Sequence, residues 1–345
     1  MQSPITGPLS LGDLLDRAFR IYRARFGSLV LTAAIFFVPL GILSGIMSGT
    51  MMTGYFGMFT ALMRQASGPP DAALLNSLQA NSSRFIGLSY LLAVLGVLFN
   101  GLVTLALTNQ AMATLHQQEL SLWGGIRAGL RRLLAYIGMF LSQGCLMGLA
   151  TFVVVAGLGC LAFGLILGIG GFASISKWEP SSNAGAVAVI IGVIMAFALY
   201  LLAILLALLP TFYLMARWVA AVPGLVEQQW GPIEALQKSW ALTKGQTWRC
   251  LGYVLLLGLL YGVVYVGLIS VAVSSAALVY QTSQAASIAI YAAVSAVLPV
   301  LWQPLSTAAF VLLYYDLRVR QEGYDLNLRV QQLEAEIQPT AGAKE

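Results

Sequence analysis

Catalysis and metal binding need histidine, cysteine or carboxylate side chains that can converge, and this sequence supplies few and scatters them. His116 is the single histidine of the 345-residue chain, which excludes multi-histidine metal sites and HExxH proteolysis. Lying between apolar stretches, it reads as a solvated loop residue. Cys145, Cys160 and Cys250 form an odd, widely spaced set with neither a disulfide framework nor metal-ligand spacing, and read as small hydrophobic filler. Neither a GxxxxGK[ST] phosphate loop nor a GxSxG nucleophile elbow occurs. Met47, Met51, Met52, Met58 and Met63 are dense enough to suggest a thioether copper site. Without nearby His or Cys, adaptable apolar packing is the better account. The expectation is no catalytic residue, no metal and no cofactor.

The elements that carry these residues are set by composition. Hydrophobic residues make up 59% and charged residues 9% of the chain, where soluble domains run nearer a quarter charged, at about 25%. A helix crosses the hydrocarbon core with roughly 20 apolar residues at about 1.5 Å rise each. Six stretches qualify, about 27–50, 85–110, 134–170, 185–215, 251–278 and 288–315. The third is over-long and glycine-rich, yet no polar turn divides it, so one long or kinked helix is expected. The chain reads as an all-α, polytopic membrane protein. It is a single membrane domain over 1–322, followed by a polar tail at 323–345. No cleavable leader is expected, because the first apolar run stands behind Arg17, Arg20, Arg23 and Arg25.

Charge distribution sets the expected orientation. With the N-terminus inside, fifteen of the 18 Lys and Arg residues fall on the cytoplasmic side, leaving only Arg64, Arg84 and Lys177 outside. Such asymmetry is a positive-inside signal, and it favours six crossings over seven. Trp123, Trp218, Trp230, Trp240 and Trp248 also fall in or beside these cytoplasmic segments, at headgroup level. Both termini are expected on the cytoplasmic side of the membrane. Basic residues spread in short clusters argue for lipid contact and against nucleic acid. On the outer side, Ser67–Asp71 reads as a turn and 72–80 as a short helix.

Three short amphipathic helices are expected before the odd-numbered crossings. Leu11, Leu14, Leu15, Ala18, Phe19, Tyr22 and Phe26 follow helical spacing opposite Asp13, Asp16, Arg17, Arg20 and Arg23, and Ser10 with Asp13 fits a capping box. A second runs from Leu122 to Leu133 with Arg127, Arg131 and Arg132 opposite. A third starts at Gly231-Pro232, with Ile233, Leu236 and Trp240 on one side and Glu234 and Lys238 on another. Aligned at Asp13, Gly125 and Ile233, the three suggest repeats of about 9–115, 120–228 and 230–322, each an in-plane helix plus a transmembrane hairpin. Such helices suit an interface with anionic headgroups, or simply pack on their own bundle.

The blocks LSLGDLLDRAFRIYRARFGSL (9–29), GPIEALQKSWALTKGQTWRCLG (231–252) and LLYYDLRVRQEGYDL (312–326) resemble the bacterial glycerophosphoryl diester phosphodiesterase membrane-domain family. That resemblance implies a helical membrane domain. It does not imply the phosphodiesterase reaction, whose barrel needs histidines and metal-binding carboxylates that have no counterpart here.

All 13 acidic residues fall in expected loops, ends or helix boundaries, with Asp316 nearest a helix core. Ion paths and proton relays normally use intramembrane carboxylates. Asn100, Asn109, Gln143, Ser270, Ser274, Ser275 and Gln303 do lie at membrane depth, where interhelical hydrogen bonding is the ordinary reading and a lipid or solute path the sharper one. Pro39, Pro210, Pro299 and Pro304 should kink their helices. The sequence thus favours a non-enzymatic accessory subunit or scaffold of a membrane complex. Arg20, Arg23, Arg131, Arg132 and Lys238 form its candidate cytoplasmic face toward lipids and a protein partner. A carrier for a lipid or small amphiphile stands second, with Asn100, Asn109, Gln143 and Gln303 inside, and a membrane-embedded enzyme third.

Overall fold

A computed structural model describes residues 9–64, 72–118, 120–168, 183–280 and 283–322. Nine helices and no strand occur among the described residues: α1 Leu11–Ala24, α2 Phe26–Arg64, α3 Ala72–Leu115, α4 Leu122–Gly168, α5 Asn183–Arg217, α6 Ala221–Glu227, α7 Pro232–Leu242, α8 Thr247–Tyr280 and α9 Gln284–Glu322. Six of them carry stretches long and apolar enough to cross a membrane: Phe26–Met47, Ile86–Leu115, Leu122–Cys160, Tyr200–Glu227, Thr247–Ser275 and Ile288–Glu322. The third apolar segment is one helix through Gly168, as expected of a chain with six spans rather than seven. Ser67–Asp71, the tail beyond 322, and the side chains of Met51, Met52, Met58 and Met63 lie outside what is described.

Local chemistry explains where the short helices start. Ser10 Oγ accepts the Asp13 amide at 3.1 Å, and the Asp13 carboxylate accepts the Ser10 amide at 3.2 Å, closing the expected capping box. Ahead of α7, the Glu234 carboxylate accepts the Gly231 amide at 3.1 Å, with Pro232 at the first helical position. The chain leaves α1 at Arg25, whose φ of −125° breaks the helix. It leaves α7 through a turn containing Gly245 at φ +81°, where a side chain would be strained.

Two expectations about helix boundaries are corrected. The segment 122–133 is not a separate in-plane helix, because α4 runs unbroken for 47 residues. No glycine, proline or turn signal lies between Leu130 and Ile137, so nothing stops the helix where its apolar face widens. Likewise 72–80 is the first part of the 44-residue α3, not a short helix of its own. The three amphipathic segments therefore differ in form: α1 and α7 are detached, and the second is the opening of a spanning helix. A short α6 also appears where only a connection was expected.

The helices neighbour one another in the order α2, α3, α4, α5, α8, α9, and α9 returns to pack on both α2 and α3. Packing is uneven. In the most apolar stretch of α9, 67% of residues are buried, against 39% in α3, 33% in α2, 17% in α5, 11% in α8 and 6% in α4. Glycines bring α2 onto α9: a Cβ at Gly41 would lie 2.3 Å from Ala296 Cα, and one at Gly45 would lie 2.1 Å from Ala292 Cα. Both helices present small residues four apart, the pattern that lets backbones meet in a membrane.

Candidate functional site

The best-packed part of the molecule lies at one end of the bundle. There α1 packs on the last turns of α9, and α6, α7 and the first turns of α8 share its buried cluster. Leu14, Ala18 and Ile21 of α1 pack with Leu225, Trp230, Leu236, Tyr253, Tyr314 and Leu317 in one buried cluster. Alternating hairpins bring the basic segments to this same end.

Two carboxylates organise it. Asp316 is fully buried at 0% exposure. Its Oδ2 accepts Arg249 Nε at 3.2 Å and Nη2 at 3.0 Å, and Arg320 Nε at 3.0 Å, while Oδ1 accepts the Leu9 amide at 2.8 Å. The Leu9 carbonyl accepts Arg320 Nη2 at 2.9 Å and also Arg249 Nη2. One backbone unit ahead of α1 is thus gripped at both its donor and its acceptor by α8 and α9.

Glu227, at the end of α6, accepts the Tyr314 hydroxyl at 2.6 Å, Arg318 Nη1 at 2.9 Å and the Tyr315 hydroxyl at 3.0 Å. His116 Nε2 lies 3.0 Å from the same Tyr315 oxygen. A hydroxyl has one proton, and here it goes to Glu227, so His116 must donate through Nε2. The lone histidine lies exposed just past the end of α3, as a solvated loop residue would, and also donates across to α9. The sequence marked Asp316 only as the acid nearest a helix core. Apart from Arg320 one turn on, its partners lie 67 and 307 residues away, beyond the reach of any local pattern.

The expected basic face is distributed over this end. Arg20 pairs with Asp16 at 3.1 Å and Lys238 with Glu234 at 2.8 Å, both within one helix turn and exposed. Arg23 and Arg131 are exposed, and the half-buried Arg132 reaches the Gln229 carbonyl at 3.5 Å. The Asp13 carboxyl is held below its ordinary range by the Ser10 hydrogen bond, and that of Glu234 chiefly by Lys238.

Inside the bundle the polar groups mostly find each other or their own backbone. Gln303 Nε2 of α9 donates to Thr104 Oγ1 at 3.0 Å and approaches Asn100 Oδ1 at 3.5 Å, both on α3. Asn109 donates to the Leu105 carbonyl of its own helix at 2.8 Å instead of reaching across. Gln143 is half-buried on α4. Ser270 and Ser275 bond back to Gly267 and Val271. A buried pair the sequence reading passed over joins α3 to α2, with Gln110 Nε2 2.9 Å from Thr32 Oγ1. Cys250 is buried, and Cys145 and Cys160 are exposed on α4. Among the described residues no three His, Cys, Asp or Glu side chains converge as metal ligands would.

Six apolar helices of spanning length, with charged networks confined to one end, define a multi-pass α-helical membrane protein. Residues 185–338 match the family described as the membrane domain of glycerophosphoryl diester phosphodiesterase. That match includes the blocks at 231–252 and 312–326 and leaves out the one at 9–29. It concerns the membrane domain of that enzyme and not its catalytic part. Neither a curated protein nor a solved structure matches the chain.

Proposed function

We propose that this protein catalyses no reaction and serves as an accessory subunit or scaffold of a membrane complex, binding a protein partner and anionic lipid through its polar end. One contrast supports the reading. Arg20, Arg23, Arg131 and Lys238 are exposed on a platform fixed from within by Asp316 and Glu227, while Gln303, Asn100 and Thr104 are spent on one another. Each basic residue near an anionic surface contributes about 1 kcal/mol, so several together set an affinity. In this reading the polar end faces the cytoplasm of a bacterial cell, which labelling of a cysteine placed at Gln118 from outside intact cells would refute.

The experiment is complementation of a deletion strain, at matched expression, by two variants. One neutralises Arg20, Arg23, Arg131, Arg132 and Lys238; the other replaces Asn100, Gln143 and Gln303 by Leu. Loss of copurifying partners and of complementation in the first variant only is the expected result. Failure of the amide variant alone favours the second reading, a carrier for a lipid or amphiphile. That reading draws its support from the sparse packing of α4, α5 and α8, whose apolar stretches are 6%, 17% and 11% buried.

A further inference from the structure

Among the described residues Arg217, the last of α5, is a strongly buried cation of the polar end whose charge no described carboxylate offsets. It is 6% exposed, and no described carboxylate lies within ion-pair distance of it. Nη1 donates to Thr247 Oγ1 at 3.0 Å, and the guanidinium carbon lies 4.1 Å from the centre of the Trp240 ring. Nε is buried without an acceptor. Burying such a charge is costly unless it is paired and hydrogen-bonded.

The obvious compensation is the negative end of α5, yet it is already engaged. The Arg217 carbonyl accepts Ser239 Oγ at 2.9 Å and Thr243 Oγ1 at 3.3 Å. The guanidinium instead reaches the first residue of α8. The first intrahelical donor there is Cys250, bonded to Gln246 at 3.0 Å, so the amides of Thr247, Trp248 and Arg249 form the open, positive end of a 34-residue helix. A buried cation and a helix N-terminus, both attractive to anions, therefore meet at one point. Lys244 stands exposed in the turn just before it.

We propose that Arg217 and the N-terminus of α8 form a binding site for a phosphate group. A guanidinium fork and helix amides both match phosphate oxygens, the fork by paired hydrogen bonds and the amides by direction and dipole. The level is that of lipid headgroups, since Trp248 projects from the same turn at 84% exposure and Trp240 borders the guanidinium. The phosphate is that of a phospholipid or of free orthophosphate. This site is independent of the docking reading, because Arg217 is not among the exposed basic residues.

The test uses full-length protein in detergent, with tryptophan fluorescence as the readout and Trp240→Phe to identify the signal. One arm adds inorganic phosphate, a second adds phosphatidylglycerol in mixed micelles, and diacylglycerol micelles supply the same chains without phosphate. A saturable change with a phosphate compound and none with diacylglycerol is expected. A response to the lipid alone names a headgroup; a response to inorganic phosphate as well shows that the free ion suffices. Arg217→Gln should weaken binding about tenfold or more, the usual worth of a charge-assisted hydrogen bond, while Arg131→Gln on α4 leaves it unchanged. Should the Gln variant not fold, Arg217→Lys keeps the charge and loses the fork, and several-fold weaker binding is expected. No saturable response in the wild type, an equal response to diacylglycerol, or wild-type affinity in a folded Arg217 variant would overturn the site.

Discussion

The helices α2, α3 and α9 form a close-packed trio, and α4 meets α3 closely near its start, where a Cβ at Gly129 would lie 3.2 Å from the Ala106 nitrogen, whereas the apolar stretches of α4, α5 and α8 are only 6%, 17% and 11% buried. The difference is not one of hydropathy, which is 2.4 in the α8 stretch and 1.7 in that of α9. It lies in which residues are small and which are polar. The trio has Gly41 and Gly45 against Ala292 and Ala296, and Gln303 bridging to Thr104. By contrast, Gly144 and Gly148 of α4 would meet nothing within 4 Å if given a Cβ. Apolar side chains gain little by leaving lipid for each other, so close fit and hydrogen bonds decide association. Two helices equally fit to span a bilayer can thus differ completely in how they are held.

Four measurements would break or sharpen this contrast. The largest effect is expected at the buried carboxylate of α9. Asp316→Asn leaves Arg249 and Arg320 without their shared anion and should cost about 4 kcal/mol in an unfolding equilibrium, while Arg131→Gln on the exposed side of α4 stays within about 0.5 kcal/mol. Next comes steric insertion. Gly41→Leu forces α2 off α9 and should cost about 3 kcal/mol, whereas Gly148→Leu should be close to neutral in the same assay. Equal losses at the two glycines would dissolve the distinction between the halves. Gln303→Leu should cost only about 0.6 kcal/mol, the average for a hydrogen bond between membrane helices.

The smallest effect concerns pH. The Asp13 and Glu234 carboxyls titrate below their ordinary values, so each contributes stability above its ordinary pKa and loses it as the pH falls through the lowered one. Amide exchange at the starts of α1 and α7, corrected for intrinsic rate, should therefore rise between about pH 5 and about pH 3. The start of α4 has no acidic residue in its first turn and should not respond.

Properties encoded locally were readable in the chain. Apolar length gave the six crossings, Ser10 with Asp13 gave the start of α1, and Gly231-Pro232 that of α7. What could not be read depends on partners distant in sequence. The amphipathic pattern at 122–133 looked like that of α1, but amphipathicity marks a face and not an end. Only Arg25 and the Lys244-Gly245 turn supply true interruptions. Gly41 and Gly45 looked like ordinary small residues of a membrane helix until α9 was set against them. Asn109, expected to reach across, is satisfied within its own turn, a choice that composition does not determine. The basic residues at this end could be read from the chain as a class, whereas the gripping role of Asp316, Glu227 and His116 emerges only from tertiary proximity.

The grip on Leu9 has a consequence for how the chain is made. Its partners Asp316 and Arg320 lie 307 and 311 residues downstream. A ribosome adding about 5–20 residues each second needs some tens of seconds to deliver them. Throughout that interval the first helix is synthesised and facing its final neighbours only in part, with its anchoring point vacant. Closure of the N-terminal segment therefore reports that the last crossing has been inserted, and in the right direction. A chain that stalls or inverts its final helix leaves that segment loose, where a quality-control protease can find it.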